Sequence, residues 1–519
     1  MSNQIRIITP SETVTAADKW RVRFEKGLAA VKLIFRGRKL SKRNIVDAYS
    51  SLPVRKKTIL VLGLGCNVRG SMQYVLNELN SSPEFKGYKI YVRTKDNTYD
   101  IVRGYIRQNG WNRTTAFRKG YRTFMESAEY LITESYFPYQ WIPKTEQKLI
   151  DLWHGTPLKC IGVIKNGNKA HLQAIQQKNF LRSDYCLYPN EFTREVMERS
   201  FQIAPLMKAK ALMLGYPRTA GLLMVTEERQ REIRQQLAPN DEKLFAYMPT
   251  FRGYLSDEDS VDRERKLLEY LDARLTDGQI LLVNLHHRIG KALDCSSFRH
   301  IRNFPPLIDS YELLTATDAL ITDYSSVFFD YLVLGKQIIL YMEDFDTYRS
   351  YQGLNMDLAE LPFDLAYSLD EIITFLNRGK DYDDTEIRNR LCAFDSAENA
   401  RKLCRVFTGS TEGLDIVPPV ANGKKKVLFF SEDCRPGRQT EFLHSFVRNR
   451  DPEACDFWVG CDTNRTSENL DSAYPMLHET SVIASDVKFE LSSVGEPLRK
   501  AVIDGAVSFE KAIRYLRNE

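Results

Sequence analysis

Residues 58–70, TILVLGLGCNVRG, run straight into SMQYVLNELN at 71–80, and this stretch decides the fold class. TILVLGL is an apolar run of strand length, Gly63, Gly65 and Gly70 turn the chain, and a helical stretch follows. Strand, glycine turn and helix in that order open an α/β unit with a parallel sheet. KIYVR at 89–93, EYLIT at 129–133 and KLIDLW at 148–153 continue the series as short strands separated by helix-length polar segments. GLGCNVRG does not fit GxGxxG, so the glycines give no reason to expect a dinucleotide.

A second alternating series begins after GYPR at 215–218, with LFAYMP at 243–248, ILLVNL at 280–285, ALIT at 319–322 and QIILYM at 337–342. Two doubly wound domains in tandem, joined near residue 216, predict a cleft between the carboxyl ends of both sheets, where such folds bind ligands. The chain accordingly divides into a basic arm over 1–55, a first Rossmann-like domain over 56–216 and a second over 217–409. A Pro- and Gly-rich linker over 410–424 leads to an accessory or truncated α/β segment over 425–519, which opens with the strand KKVLFF.

A length of 519 residues fits two large domains plus extras at about 100 to 200 residues each, and 43% hydrophobic with 27% charged residues is a globular composition. No run reaches the roughly 18 to 20 apolar residues of a membrane-spanning helix, and the start lacks a secretory leader, which places the expected location in the cytoplasm. The nine cysteines lack CxxC pairs or zinc-type spacing and read as reduced thiols, with Cys66, Cys160 and Cys186 as packing residues. Residues 1–57 hold 14 Lys/Arg against 4 Asp/Glu, so the net charge of +5 becomes −5 over the remainder. In WRVRFEKGLAAVKLIFRGRKLSKR at 20–43, nine cations interleave with Trp20, Phe24, Leu28, Val31, Leu33 and Phe35. The pattern fits a basic amphipathic helix on an anionic membrane face, or equally an apolar stripe packed on its own protein. No nucleic-acid reading motif accompanies the charge.

Only seven histidines occur, so their placement is informative. His154 follows an apolar strand in DLWHGTPLK and precedes Gly155 and Thr156, where an imidazole faces the cleft. A neutral imidazole can take a proton from a hydroxyl, and the next residues can offer N–H groups and a hydroxyl to an anion; the alternative is a structural cap on the strand. His286 and His287 close ILLVNLHHR with Arg288 beside them, a group able to carry positive charge toward a phosphate. YMPTFRG at 247–253 supplies Thr250 and Arg252, and TDYSS at 322–326 supplies Thr322, Asp323, Ser325 and Ser326 before the helical VFFDYLVLG. Serines there can cap the helix, bind phosphate, or do both. Asp344-Phe-Asp346 and Asp257-Glu-Asp259 match the weak DxD metal pattern, while HExxH, Walker A and GxSxG are missing.

LWHGTPLK at 152–159, GYPR, YMPTFRG and LITDYSSVFFDYLVLGKQIILYMEDFDTYR at 320–349 together resemble the CDP-glycerol glycerophosphotransferase family, the teichoic acid polymerases and primases with related capsule polymerases. The resemblance covers roughly residues 56–405 and implies a GT-B fold, two Rossmann-like domains facing a cleft. It implies transfer of an alditol phosphate, glycerol phosphate first, from a CDP-alditol to a hydroxyl of a lipid-linked or polymeric acceptor, with release of CMP. His154 is then the base on the acceptor hydroxyl, and His286 stabilises the pyrophosphate as CMP departs. Gly155, Thr156, Thr250, Arg252, Thr322, Asp323, Ser325 and Ser326 serve the donor and its phosphates, with Arg218, His287 and Arg288 as further candidates. No cofactor and no metal are implied; cations and helix N-termini neutralise the charge. The partners are the CDP-alditol, the acceptor, an anionic surface on the inner face of the membrane and, as an open question, further copies of the chain, with nucleic acid excluded. This sequence reads LHH at 285–287 where the family has LHP, carries Asn284 before it, and has LPF at 361–363, so CDP-ribitol or another donor stays open. A GT-B glycosyltransferase using a nucleotide sugar is the alternative activity.

Overall fold

The computed structural model describes residues 52–138, 141–164, 170–290, 292–306, 308–431, 437–462 and 481–485. The basic arm, apart from its last four residues, lies outside them. The chain divides into two compact units. One gathers residues 1–55, 120–127 and 487–519, and its described element is the helix Tyr121–Ser127. The other, residues 56–119 and 128–486, carries the sheets and the candidate site.

The first half of that larger unit is built on β1 (Arg55–Leu62), β2 (Lys89–Arg93), β3 (Thr114–Phe117), β4 (Ala128–Thr133), β5 (Lys148–Asp151), β6 (Tyr185–Tyr188) and β7 (Lys210–Met213). The second half uses β8 (Lys243–Tyr247), β9 (Gln279–Val283), β10 (Ile301–Asn303), β11 (Ala319–Thr322), β12 (Gln337–Tyr341) and β13 (Asp364–Ala366). β14 (Asp415–Val417) returns to the first sheet, giving the order β14-β7-β6-β5-β4-β1-β2-β3, while the second sheet runs β10-β9-β8-β11-β12-β13. β1–β2, β2–β3, β4–β5, β5–β6 and β6–β7 pair in parallel, and β14 is antiparallel to β7. Both faces of these sheets are covered, which is why central strands such as Ile59–Val61 and Ile338–Leu340 read as unbroken apolar runs and are fully buried. A third sheet, β15-β16-β17, comprises β15 (Lys425–Ser431), β16 (Cys455–Asp462) and β17 (Ser481–Ser485), parallel throughout. This is the GT-B arrangement with a small C-terminal α/β extension.

The glycine turn leads into α1 (Ser71–Ser81), whose Met72, Val75, Leu76 and Leu79 are buried against the first sheet. The crossover α2 (Tyr99–Gln108) buries Val102 and leaves Arg103 and Arg107 exposed. After GYPR the chain forms α3 (Pro217–Met224), starting with proline at the first helical position.

The halves are not simply in tandem. Residues 395–409, expected in the second domain, turn back to the first: the helix Asn399–Arg405 places Leu403 and Cys404 in one core with Val75 and Leu76 of α1. The expected linker contains a strand, β14, because its Asp-Ile-Val segment finds a free edge on β7. The chain therefore crosses between the halves twice, and the crossings touch. Gly215 N donates to Phe394 O at 3.0 Å, and a Cβ on Gly215 would fall 2.1 Å from Asp395 Oδ1.

Candidate functional site

The loop after β5 is shaped before its histidine is reached. Asp151 Oδ1 accepts from Trp153 N at 2.9 Å, and Asn179 Nδ2 donates to Asp151 Oδ2. Trp153 adopts φ 54°, an unusual conformation for a non-glycine residue, and its indole stacks on the His154 ring at 4.2 Å between centroids. His154 Nδ1 lies 3.2 Å from the Glu134 carbonyl oxygen. That oxygen can only accept, so Nδ1 carries the proton and Nε2 keeps its lone pair. Burial lowers the His154 pKa to about 4, against the help of the Glu134 carbonyl and with a further push from the Arg218 charge. The imidazole is thus neutral at physiological pH, the state a general base requires.

Gly155 brings the two halves together. Its φ is 151°, and a Cβ there would lie 2.9 Å from Ser326 Oγ and 3.5 Å from Arg218 Nη2. Arg218, buried on α3, grips Asp330 with Nε at 2.8 Å and Nη2 at 3.1 Å. Asp330 sits on α5 (Val327–Tyr331), directly after TDYSS, and also accepts from Tyr311 at 2.8 Å; Tyr311 belongs to α4 (Ser310–Ala316). Glu134, at the end of β4, is buried, and burial raises its carboxyl to about 7 despite the Arg218 charge and hydrogen bonds from Leu64 and Ser71 at the start of α1. Past the histidine, the chain is clasped to the second half. Asn355 N donates to Leu158 O at 2.7 Å, Cys160 N donates to Gly353 O at 3.1 Å, and Asn355 Nδ2 donates to Pro157 O and Lys159 O at 2.9 and 2.8 Å.

In the second half Asp323 is the organiser. It accepts from Thr250 N at 2.8 Å and from Arg252 Nη1 at 2.7 Å. Arg252 is 2% exposed and also grips Asp344 through Nε at 2.7 Å and Nη2 at 3.0 Å. Asp344 further accepts from Tyr254 and Tyr324. Burial pushes the Asp344 carboxyl up, but the Arg252 hydrogen bonds and charge outweigh it and hold it below the usual aspartate value. Thr322 donates to Met248 O at 2.6 Å and Thr156 accepts from Thr193 Oγ1 at 3.2 Å, so both hydroxyls join neighbouring segments. Thr250 Oγ1 differs: it is enclosed and has no hydrogen-bond partner among the described residues.

The structure thus gathers Gly155, Ser326 and Arg218 in one place, and Thr250, Arg252, Thr322 and Asp323 in another. The guanidinium of Arg252, expected on phosphate oxygens, is turned instead toward two carboxylates, Asp323 past the neighbouring β11 and Asp344 past β12 beyond it. Asp344 of the DxD pattern is its partner. Asp257 and Asp259, the other such pair, lie in the first turn of the helix Asp257–Asp272, and Asp259 accepts from Ser256 Oγ. Ser325 Oγ approaches Val327 N at only 3.5 Å, a weak cap, while Ser326 has no side-chain capping bond. His286 follows β9, stacks on Phe251 at 4.9 Å, and gives its carbonyl to Ile289 N and Gly290 N. The side chains of His287 and Arg288 lie outside the described residues. Between the halves opens a cavity of about 470 Å³, lined by Gln73 and Tyr105 from the first half and Met248, Asn284, Asp309 and Tyr311 from the second. Glu134, Asp330 and Asn355 were not singled out from sequence; the first two at least carry a signal, a carboxylate just past an apolar strand and one inside an apolar helix.

Comparison with known proteins bears on the family and the fold. Residues 45–408 match the family described as CDP-Glycerol:Poly(glycerophosphate) glycerophosphotransferase. The chain is 26% identical over 369 residues to the teichoic acid poly(glycerol phosphate) polymerase of Bacillus spizizenii, covering 66% of this chain and 89% of that protein. It is 28% identical to the Bacillus subtilis enzyme of the same name, covering 64% of this chain but 46% of the relative. The structure of the wall teichoic acid polymerase TagF shares the fold with a TM-score of 0.60 at 24% identity, covering 75% of this chain and 98% of that one. With this match over most of its length, and with Gly155 of the histidine loop, the GYPR arginine and Ser326 of the TDYSS turn gathered in one place, the chain belongs to the CDP-glycerol:poly(glycerophosphate) glycerophosphotransferase family.

Proposed function

We propose that this transferase moves an alditol phosphate, glycerol phosphate first, from a CDP-alditol to a hydroxyl of a polymeric or lipid-linked acceptor in cell-wall polymer synthesis, releasing CMP. The observation that carries this reading is His154, held neutral by burial and oriented through Nδ1 on the Glu134 carbonyl. Nε2 takes the acceptor hydroxyl proton as the oxygen forms its bond to the β-phosphorus. The bond from that phosphorus to the CMP oxygen breaks, and its electron pair leaves with CMP. Thr250 Oγ1 and the Ser326 hydroxyl are the groups left to meet phosphate oxygens, and His286 accompanies the departing charge. Arg252 acts at one remove, by fixing Asp323 and hence the Thr250 backbone.

The test is CMP release from CDP-glycerol and CDP-ribitol with a lipid-linked acceptor, for the wild type and His154→Ala. We expect release that falls by about 10²- to 10⁴-fold in the variant. Release from neither donor by a folded protein with a competent acceptor would shift the reading to sugar transfer. Attachment to the inner face of the membrane through residues 1–50 is the second part of the proposal. Among the described residues no helix is long and apolar enough to cross a membrane. Cations near an anionic surface contribute about 1 kcal/mol each before screening. Liposome flotation should weaken when residues 1–50 are deleted, and equal flotation of both chains would sink the idea.

A further inference from the structure

Residues 86–119 hold nine Lys and Arg and two Asp, a second concentration of positive charge separate from the basic arm. The topology spreads it in a particular way. Across the first sheet the strands run β5-β4-β1-β2-β3, and their carboxyl ends lie along one edge. His154 follows β5, Arg69 follows β1, Arg93 and Lys95 end β2, and Arg118 and Lys119 follow β3. The ends of β2 and β3 are tied by Arg93 Nη1 donating to Arg118 O at 2.6 Å. Arg103 of α2 joins them, since Tyr99 carries the Arg103 and Arg118 guanidinium groups over its ring at 5.5 and 4.9 Å. Lys95, Arg103 and Lys119 are exposed and have no carboxylate partner among the described residues, whereas Arg118 pairs at 3.6 Å with the exposed Asp96, which a phosphate would have to displace. At about 4.8 Å per strand, four steps from β3 to β5 span roughly 19 Å. The row is therefore long compared with one phosphate and ends at the base. Glu134, which lies between β1 and His154 in this order, is buried and presents no competing exposed carboxylate. The exposed apolar side chains beside the row, Leu64 and Ile101 at 52% each, offer contact to a carbon backbone.

We propose that this edge is the track of the acceptor: a phosphodiester chain lies across the carboxyl ends of β3, β2 and β1, its phosphates on Lys119, Arg118, Lys95, Arg103 and Arg69, and its terminal hydroxyl at His154. The proposal rests on the alditol-phosphate transfer reading and adds the site that reading lacks. A lipid bilayer would also accept cations mixed with apolar groups, but a bilayer does not call for a row that leads to the reacting nitrogen.

The test uses water-soluble, fluorescently labelled glycerol-phosphate oligomers, one short and one of many repeats, and reads binding by anisotropy with no donor present. The proteins are the full chain, the triple variant Lys95→Glu/Arg103→Glu/Lys119→Glu, its milder counterpart with Gln at the same positions, and Lys424→Glu/Lys425→Glu/Lys426→Glu at the start of β15 as a charge-matched control. We expect the wild type and the control to hold the long oligomer more tightly than the short one. The Glu triple variant should lose roughly tenfold or more on the long oligomer, with unchanged circular dichroism and a flatter salt dependence, and the Gln variant should lie between. Equal affinity of wild type and triple variant, or no preference of the wild type for the long oligomer, overturns the track. Unchanged oligomer binding together with lost flotation on phosphatidylglycerol vesicles overturns it too, and assigns the edge to the membrane. Row-dependent oligomer binding without CMP release from any CDP-alditol would retain the track and sink the transfer reading, so the two fail separately.

Discussion

On the proposed role of His154 as the base, the neutrality of its imidazole sets when the site can work. With its pKa lowered to about 4 by burial, His154 stays a base through the mildly acidic range in which an ordinary histidine, near 6.5, becomes protonated. The acid limb of kcat/KM against pH is therefore expected well below 6, and a limb at 6.5 would show that the ring is solvated in the working enzyme. The same shift affects stability in one direction. Between pH 6.5 and about 4 the unfolded chain binds the proton and the folded one does not, so this residue costs stability as pH falls through that window. His154 itself was legible from sequence because it is a rare residue at the end of an apolar strand. Its orientation was not, since a backbone carbonyl twenty residues away holds Nδ1. Arg252 shows the converse. Its place after a strand marks it as a site residue, but only the fold shows that Asp323 and Asp344 occupy the guanidinium.

At the scale of elements, helix starts and strand ends meet through a few buried charges. Arg218 on α3 and Asp330 on α5 form a two-point ion pair that is shielded from water, beneath the Gly155 turn. Asp330→Asn would leave the guanidinium buried without a counter-charge and should cost about 3 to 5 kcal/mol, read as a lower urea midpoint at unchanged slope. A loss below 1 kcal/mol would mean that Tyr311 and Glu134 compensate. The apolar runs of β1, β8, β9, β11, β12 and β15 announce these strands in the sequence. β3, β6, β7, β10 and β13 have three or four residues each and carry too little pattern to stand out from the helices around them. β14 hides within a Pro- and Gly-rich stretch because a strand of three residues exists only by virtue of the edge it joins.

For the whole molecule, tandem domains were the expectation, and the return of residues 395–417 to the first half is what sequence periodicity cannot show. The signal for that crossing is tertiary: Thr219 donates to Asp395, and Asn399 reaches the Tyr216 carbonyl and Thr219 across some 180 positions of chain. The clasp from Pro157–Cys160 to Gly353–Asn355 adds a further link that ties the histidine's loop to the second half. Because Gly215 and Phe394 are hydrogen-bonded neighbours, the second half leaves and re-enters the first through a single doorway. Genetically, it is a cassette. Residues 217–394 should fold as a separate six-stranded body when expressed alone, with cooperative urea unfolding, and a non-cooperative transition would show that the first half is its template. If the cassette does fold, it could be replaced by that of a relative without redrawing the remainder, and with the donor on this half, as proposed, donor choice would be exchanged while the other half stays as it is.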